Sequence, residues 1–355
     1  MNRIERLAEA LPESVQCALI TSDINRRYFT GMKSSAGVLV CFKEKSYLII
    51  DFRYIEKARA VVKSCEVIEM QKLSVQIGEL LKKHKVGKVS VEADSMTIAE
   101  LNRYKTSLPE VEFDICGDLS KAIAKLRSCK SKFELEKMSQ AQGIAEKAFE
   151  HILSFIRAGR TEREIALELD YFMHKSGAES VSFDTIALSG SNTSMPHGVP
   201  SSKEVFRGEL VLMDFGAVVD GMHSDMTRTI CVGEPTADME KAYATVLKAQ
   251  LAALAAVRAG MKCSELDAVA RDIIYDAGYE GTFGHSLGHG VGLEIHEAPT
   301  VSEKSETILS EGMVITVEPG IYIPGKFGIR IEDMVSVSAA SSKNMTAADK
   351  KLICL

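Results

Sequence analysis

The sequence predicts an N-terminal α/β domain over residues 1–127 and a C-terminal α+β domain over residues 128–355. Three observations support this division. A chain of 355 residues is longer than one typical hydrophobic core supports. Short apolar runs alternate with helical patterns in the first third of the chain, which is typical of an α/β domain. The rest of the chain contains an internal repeat of helices and strands, which indicates pseudo-twofold symmetry.

Composition excludes several classes of function. The net charge is −6 and there is no basic tail, so nucleic acid is not an expected partner. No apolar run is long enough to cross a bilayer, so no membrane partner is expected either. The eight cysteines form no Cys-x-x-Cys pair, which indicates reduced thiols. We therefore expect a cytoplasmic protein.

Regular alternation of elements predicts the N-terminal domain. An amphipathic helix is expected over Met1–Pro12. Strand-like runs follow at Val15–Thr21, Gly37–Phe42, Tyr47–Ile50, Lys88–Glu92 and Val111–Ile115. Apolar residues at helical spacing occupy Tyr54–Lys63, Leu73–Lys85 and Thr97–Ser107. Such a pattern predicts a mostly parallel or mixed sheet.

The domain boundary is expected near Arg127–Ser131, where Ser131 and Glu134 form a capping-box pattern at the start of a long helical run. Beyond it, the tripeptide Arg157–Gly159 recurs as Arg258–Gly260. Each copy precedes a predicted helix: Thr161/Glu164 forms a capping box at the first helix, and Ser264/Asp267 imitates one at the second.

The repeat continues into strands that end in acidic residues. Gly208–Gly216 aligns with Gly312–Gly320, and each apolar strand ends in a carboxylate and then returns from a hairpin with a second one. These carboxylates are Asp214 and Asp225 in the first copy, and Glu318 and Glu332 in the second. Taken singly, an acidic residue at a strand end is usually a turn or cap residue. Their symmetric positions instead indicate one shared site.

Three histidines, His285, His289 and His296, are interleaved with three glycines in one short stretch. Imidazole is the commonest nitrogen ligand of protein-bound metals. Four carboxylates that converge with one imidazole need compensating cations, because burial of several like charges is costly. An oxygen-rich site with one nitrogen favours manganese, with cobalt, iron or zinc as alternatives. Two such metals can hold a hydroxide that acts as a hydrolytic nucleophile.

The sequence resembles the creatinase/methionine-aminopeptidase, or pita-bread, metallopeptidases, and within them the Xaa-Pro aminopeptidase and prolidase branch. The resemblance extends over essentially the whole chain. The motifs that carry it are Met213–Gly216, Ser224–Arg228, Gly288–Gly290, Val317–Gly320 and Arg330–Asp333. It implies a pita-bread catalytic domain, a creatinase-type N-terminal domain, two divalent metal ions, a proline-containing peptide substrate and a homodimer.

The resemblance also implies roles for individual residues. Asp214 would bind one metal and Asp225 would bridge both. The remaining implied ligands are His289 and Glu318 on the second metal, and Glu332 as the other bridge. Glu318 would in addition accept the proton of the attacking hydroxide.

Four further residues complete the implied site. His197, His285 and His296 match substrate-side histidines of the family, and Arg330 matches an arginine that positions the carboxylate network. His296 is the best candidate for stabilising the developing oxyanion or the leaving nitrogen.

Three activities fit this pattern. The first is an Xaa-Pro aminopeptidase that acts through a metal-bridging hydroxide, and the second is an Xaa-Pro dipeptidase, or prolidase. A third candidate is a non-catalytic binding protein, which the presence of all five ligand types disfavours. Many relatives carry an arginine that can grip a substrate carboxylate near Lys304, and the lysine argues against a preference for free dipeptides.

Overall fold

The computed structural model describes residues 2–12, 15–339 and 341–355. The chain forms two compact units, Met1–Arg127 and Ser128–Leu355. Within the described ranges, no helix has both the length and the apolar character needed to cross a membrane.

The first unit is built on a six-stranded mixed sheet with the strand order β4-β3-β2-β1-β5-β6. Its strands are β1 (Cys17–Ile20), β2 (Val38–Phe42), β3 (Ser46–Ile50), β4 (Glu66–Glu69), β5 (Lys88–Val91) and β6 (Glu112–Asp114). Its helices are α1 (Arg3–Ala10), α2 (Asp23–Thr30), α3 (Phe52–Val61), α4 (Leu73–Lys83), α5 (Ile98–Ser107) and α6 (Asp118–Ser128). Pairing is antiparallel from β1 to β3 and parallel elsewhere, so the predicted mixed sheet is confirmed.

Sequence patterns located most, but not all, elements of this unit. All five predicted strands are present, and α1 starts at Arg3, whereas Met1 lies outside the described residues. Strand β4 was not predicted, because its sequence Glu-Val-Ile-Glu contains only two apolar residues and lies at the sheet edge. Helix α2 was not predicted either, because the buried Arg26 interrupts its apolar pattern; its guanidinium is satisfied by Asp23, Ser34 and main-chain oxygens.

The second unit contains four long helices and several small antiparallel sheets. The helices are α7 (Lys132–Phe155), α8 (Glu162–Lys175), α9 (Ala237–Ala256) and α10 (Cys263–Ile274), with a 3-10 turn at Gly190–Ser194 and a π turn at Tyr275–Tyr279. The first seven strands are β7 (Ser180–Val181), β8 (Ile186–Ser189), β9 (Glu209–Phe215), β10 (Ala217–Val219), β11 (Met222–His223), β12 (Met226–Val232) and β13 (Gly288–Gly290). The others are β14 (Glu297–Val301), β15 (Val314–Val317), β16 (Gly320–Ile323), β17 (Phe327–Arg330), β18 (Asp333–Val337) and β19 (Ser342–Asn344).

Both copies of the repeat have the same construction. In the first, β9 pairs antiparallel with β12, and the short strands β10 and β11 connect them. In the second, β15 pairs with β18, and β16 and β17 form the connecting hairpin. One apolar core joins α7 and α8 to the first strand pair, and another joins α9 and α10 to the second. The strand pairs are thereby covered by helices on one face and can carry polar groups on the other.

Helix starts differ between the two copies. Thr161 and Glu164 form the predicted capping box at the start of α8. The prediction of a second box at Ser264 and Asp267 is wrong, since α10 begins after Lys262 without a side-chain cap. Asp267 is instead buried and accepts the main-chain N–H of Leu287 at 3.0 Å. Its carboxylate therefore bonds a distant loop and Arg271, one turn further along α10, and it does not cap the helix start.

This difference predicts opposite results for two similar substitutions. Thr161→Ala removes the cap of α8 and should cost about 1 kcal/mol, a decrease in Tm of about 2–4 °C. Ser264→Ala removes no cap hydrogen bond and should leave Tm unchanged within about 1 °C, because alanine favours the helix interior. Thermal unfolding followed by circular dichroism measures both, and equal losses of Tm would contradict the assignment of the caps.

Candidate active site

Four acidic side chains come from equivalent positions of the two strand pairs. Asp214 is the penultimate residue of β9, and Asp225 directly precedes β12. Glu318 directly follows β15, and Glu332 directly precedes β18. Because Asp214 faces Thr227 and Val317 faces Asp333 in the strand register, each pair of carboxylates lies at one end of its ladder.

Hydrogen bonds join the two strand pairs at this end. The Thr227 hydroxyl donates to Glu332 Oε2 at 2.6 Å, and the Glu332 main-chain N–H donates to the Thr227 carbonyl at 3.1 Å. Arg330 Nη2 donates to Asp214 Oδ2 at 2.6 Å, and Arg330 Nε donates to the Thr227 hydroxyl at 2.9 Å. The carboxylates of both copies therefore belong to one network.

His289 faces this network from β13. Its Nδ1 donates to the carbonyl of Gly290 at 3.0 Å, which leaves Nε2 as an acceptor. That Nε2 lies 3.5 Å from Asp225 Oδ2 and 3.5 Å from Glu318 Oε1. One ligand atom from each of Asp225, His289 and Glu332 falls within 4.8 Å of the others.

Because the site is buried, the close approach of these carboxylates and the imidazole is unfavourable unless another group compensates them. Burial and then the neighbouring Glu332 raise the pKa of Asp225 well above its ordinary value. Burial, followed by the charges of Glu318 and Asp214, does the same to the pKa of Glu332. Burial also raises the pKa of Glu318 to about 7 and lowers the pKa of His289. The site thus resists both carboxylate ionisation and imidazole protonation.

A divalent cation fits this arrangement. The buried Asp214 Oδ1 has no hydrogen-bond partner among the residues that the structure describes. The lone pair of His289 Nε2 is directed toward carboxylate oxygens and not toward a donor. Acceptors that face one another in a buried site are stabilised by a shared cation, and oxygen with one imidazole suits hard or borderline divalent metals.

His285 lies next to this cluster, but other protein groups engage both of its ring nitrogens. Nδ1 donates to the Ser286 carbonyl at 2.8 Å, and Nε2 accepts the hydroxyl of Tyr322 at 2.9 Å. Burial lowers its pKa to about 3, so the ring is neutral. Tyr322 also accepts Arg330 Nη1 at 2.9 Å, so that His285 is the outer end of a chain that leads through Arg330 to Asp214.

The other two predicted histidines have exposed side chains. The His296 ring lies 4.4 Å from the His289 ring at an angle of 70°. Partial desolvation, and then the imidazoles of His289 and His197, lower the pKa of His296. His197 is exposed in the segment before β9 and acts electrostatically on His285, His296 and Glu318. The structure therefore brings all nine predicted site residues into one neighbourhood, with two of the histidines open to solvent.

Comparisons with known proteins agree with this geometry. Residues 136–339 match Metallopeptidase family M24, and residues 3–129 match the Creatinase/Prolidase N-terminal domain. The chain belongs to metallopeptidase family M24.

Similar proteins cover the chain almost completely. An Xaa-Pro dipeptidase of Pyrococcus furiosus is 39% identical over 99% of both chains. The solved structure of an Xaa-Pro dipeptidase from Bacillus anthracis has a TM-score of 0.96, with 42% identity over 99% of both chains. The structure of an X-Pro aminopeptidase from Thermotoga maritima has a TM-score of 0.91, with 36% identity over 100% of both chains. The predicted pita-bread architecture with a creatinase-type N-terminal domain is confirmed, and the family implies divalent metal.

Sequence patterns did not identify several residues that support the site of this M24 peptidase. Thr227 holds Glu332, and the hydroxyl of Thr316 donates to Glu318 Oε1 at 3.0 Å. Each threonine lies two positions from a carboxylate along the chain. Since side chains alternate between the faces of a strand, spacing by two is the signal that could have identified them.

An arginine behind the site was also missed. Arg228 is buried and donates to the Glu332 carbonyl at 2.7 Å and to Asp333 Oδ1 at 2.8 Å. Asp333 in turn accepts Lys350 at 2.9 Å and Asn344 at 2.6 Å. The carboxylate of Asp333 is therefore fully paired, and it orients Arg228, which holds the backbone of Glu332. No spacing rule connects Arg228 with Lys350.

The bridging hydroxyl of Thr227 predicts an effect on metal binding. Thr227→Val keeps the side-chain shape but removes the bond to Glu332, so affinity for Mn²⁺ should fall about 10- to 100-fold in calorimetric titration. Thr229→Val is a matched control, because within the described part of the chain the Thr229 hydroxyl bonds only the backbone of Arg330. Its Mn²⁺ affinity should stay within about threefold of the original. Equal losses in the two variants would contradict the role of Thr227.

Proposed function

We propose that this M24 peptidase hydrolyses the Xaa-Pro bond at the amino end of its substrate with two divalent metals. The observation that carries the proposal is the buried group of facing acceptors, in which Asp225, His289 and Glu332 approach within 4.8 Å and Asp214 Oδ1 lacks a partner among the described residues. The names of the similar proteins support the preference for proline.

The proposed ligands follow the two copies of the repeat. Asp214 would hold one ion, His289 and Glu318 would hold the other, and Asp225 and Glu332 would serve both. Manganese is the ion we propose, because four carboxylates and a single imidazole form an oxygen-rich set. When bound, such ions supply Lewis acidity and lower the pKa of water, which is the chemistry of peptide hydrolysis.

Protein groups perform the remaining tasks. Glu318 accepts a proton during the attack, and Thr316 keeps its carboxylate oriented through the bond to Oε1. Arg330 orients Asp214, and Tyr322 together with His285 holds the guanidinium in that position. These groups hold the carboxylates of Glu318 and Asp214 in fixed orientations for the reaction.

Two exposed imidazoles remain for the substrate. His296, close to His289, donates a hydrogen bond to the oxyanion or the leaving nitrogen as charge develops. His197 approaches the same region from the other copy of the repeat. Because burial and neighbouring imidazoles lower the pKa of His296, its ring is neutral near pH 7 and can donate one hydrogen bond.

Substrate length separates two forms of this activity. The sequence predicts an Xaa-Pro aminopeptidase, which also accepts longer peptides. The dipeptidase is at least as well supported, since relatives of 39% and 42% identity are named Xaa-Pro dipeptidase and one of 36% identity is named X-Pro aminopeptidase. A homodimer and a cytoplasmic location stay predictions.

A substrate series tests the proposal and distinguishes the two forms. Mn²⁺-loaded protein should hydrolyse Ala-Pro, and a chelator should abolish the activity until Mn²⁺ is restored. Ala-Pro-Ala then serves as the longer substrate and Ala-Ala as the control without proline. Cleavage of the dipeptide alone identifies a dipeptidase, whereas cleavage of both Xaa-Pro substrates identifies an aminopeptidase. Equal rates on Ala-Ala, or full activity without metal, would refute the proposal.

Two histidine substitutions should separate metal binding from substrate contact. His289→Ala removes a proposed ligand, so metal content measured by mass spectrometry should fall by about one ion per chain and activity should be lost. His296→Ala should retain both ions and lower kcat by about 10²–10³, as expected for loss of a donor to the developing charge. Loss of metal from His296→Ala would show that His296 acts as a ligand.

A further inference from the structure

A fully buried carboxylate lies at the start of helix α8, outside the acidic cluster. Glu162 Oε1 accepts the main-chain N–H of Ser189 at 2.7 Å, the Ser189 hydroxyl at 3.2 Å and the Asn192 amide at 3.0 Å. Its Oε2 accepts the N–H of Ser201 at 3.0 Å and the Ser201 hydroxyl at 2.7 Å. Every one of these partners is a donor, and together they bracket one segment, residues 189–201.

This segment carries His197. Within it, the N–H of Met195 donates to the Asn192 carbonyl at 3.0 Å, and the N–H of Gly198 donates to the Met195 carbonyl at 3.0 Å. The turn that presents His197 is therefore continuous with Asn192, which Glu162 holds directly. Ser201 closes the far side of the same turn.

The opposite side of the segment contacts the acidic cluster. Arg330 Nη1 donates to the Pro196 carbonyl at 3.4 Å, and the Gly328 N–H donates to the Thr193 hydroxyl at 2.7 Å. The Glu162 carboxylate and strand β17 thus hold the segment from two sides. Displacement at the Glu162 side would move His197 relative to Arg330 and Asp214.

The chemistry of the five donors requires a carboxylate. An amide at this position would direct its own N–H₂ toward donors, and at least one buried partner would be unsatisfied. The negative charge is favourable in the first turn of a helix, and Lys203 Nζ donates to the Ser189 hydroxyl at 2.9 Å, close to the carboxylate. The five donors therefore match a carboxylate and not an amide.

The second copy of the repeat holds its own histidine in a similar way. Asp267 on α10 binds the main-chain N–H of Leu287 and pairs with Arg271, which donates to the carbonyls of Phe283 and His285. In each copy, a buried carboxylate on the second helix thus holds the segment that carries a histidine.

We propose that Glu162 is a positioning residue that fixes His197 for the substrate. The inference rests on the proposed peptidase function, because His197 has its role only there. Glu162 itself touches neither the acidic cluster nor the substrate side of the segment; it acts through the turn at residues 189–201.

Glu162→Gln tests this role in a double-mutant cycle with His197→Ala. In otherwise unchanged protein, Glu162→Gln should lower kcat on Ala-Pro about 10- to 100-fold, as expected for a displaced catalytic group. With His197→Ala already present, the same change should lower kcat less than about threefold. Equal losses in the two backgrounds would overturn the inference, because a merely structural defect would not depend on His197.

Glu164→Gln is the matched control. Glu164 belongs to the capping box of the same helix and bonds Thr161 and Arg160, but it does not touch residues 189–201. It should therefore leave kcat within about twofold of the original. A loss as large as that of Glu162→Gln would assign the effect to the helix start and overturn the inference.

Hydrogen exchange supplies a readout that is independent of activity. In Glu162→Gln, peptides covering residues 189–201 should exchange at least about tenfold faster, with Glu164→Gln unchanged. Unchanged exchange would overturn the anchoring even if activity fell. If the original protein cleaves no Xaa-Pro substrate, the proposed function fails, and this comparison still decides whether Glu162 anchors the turn.

A milder variant covers the case in which Glu162→Gln does not fold. Ser201→Ala removes one hydroxyl donor and leaves the Glu162 carboxylate and its other bonds in place. Its kcat should fall about 3- to 10-fold, again only when His197 is present. Full activity of Ser201→Ala, together with unchanged exchange, would overturn the proposal.

Discussion

The central constraint in this structure is the convergence of four carboxylates, two buried and two half-buried, around one unprotonated imidazole nitrogen. Burial raises the pKa of Asp225, Glu318 and Glu332, which disfavours their ionised forms, and it lowers the pKa of His289, which disfavours a compensating positive charge on the imidazole. Compensation comes partly from the protein, through Arg330 on Asp214. The rest of the requirement is one that divalent cations meet, in agreement with membership of a metallopeptidase family.

The surrounding fold must hold the side chains of this cluster in place, and the two copies of the repeat do so. Each copy contributes a pair of strands whose carboxylates emerge at the same end, and helices cover the opposite face. Thr227 and Arg228 of the first copy then bond Glu332 of the second, which ties the copies together where the charge is concentrated. A buried polar network of this kind is stable only when its members have hydrogen-bond partners. Behind the site, Arg228 and Asp333 meet this condition.

The histidines divide according to their surroundings. His285 is engaged on both ring nitrogens and holds Tyr322, while His197 and His296 are exposed. From the sequence, all three residues match substrate-side histidines of one family, with His296 as the best candidate for stabilising the oxyanion or the leaving nitrogen. Their distinction depends on which groups lie within hydrogen-bond distance, and the partners of His285 include Tyr322 on strand β16, far along the chain.

The sequence by itself determined the repeat, the mixed sheet of the first unit and the residues that converge. Strand periodicity and matched hairpins are local patterns, so Asp214 and Glu318 could be found at equivalent positions without a structure. Tertiary structure alone decided what each group touches. The sequence pattern of Asp267 is that of a helix cap, but in the structure its carboxylate bonds a loop. Glu162 lies within a capping pattern, and nothing in the sequence indicates that it binds residues 189–201. The physical reason is that hydrogen-bond partners are chosen by proximity in the folded chain, which sequence spacing specifies only along one helix or one strand.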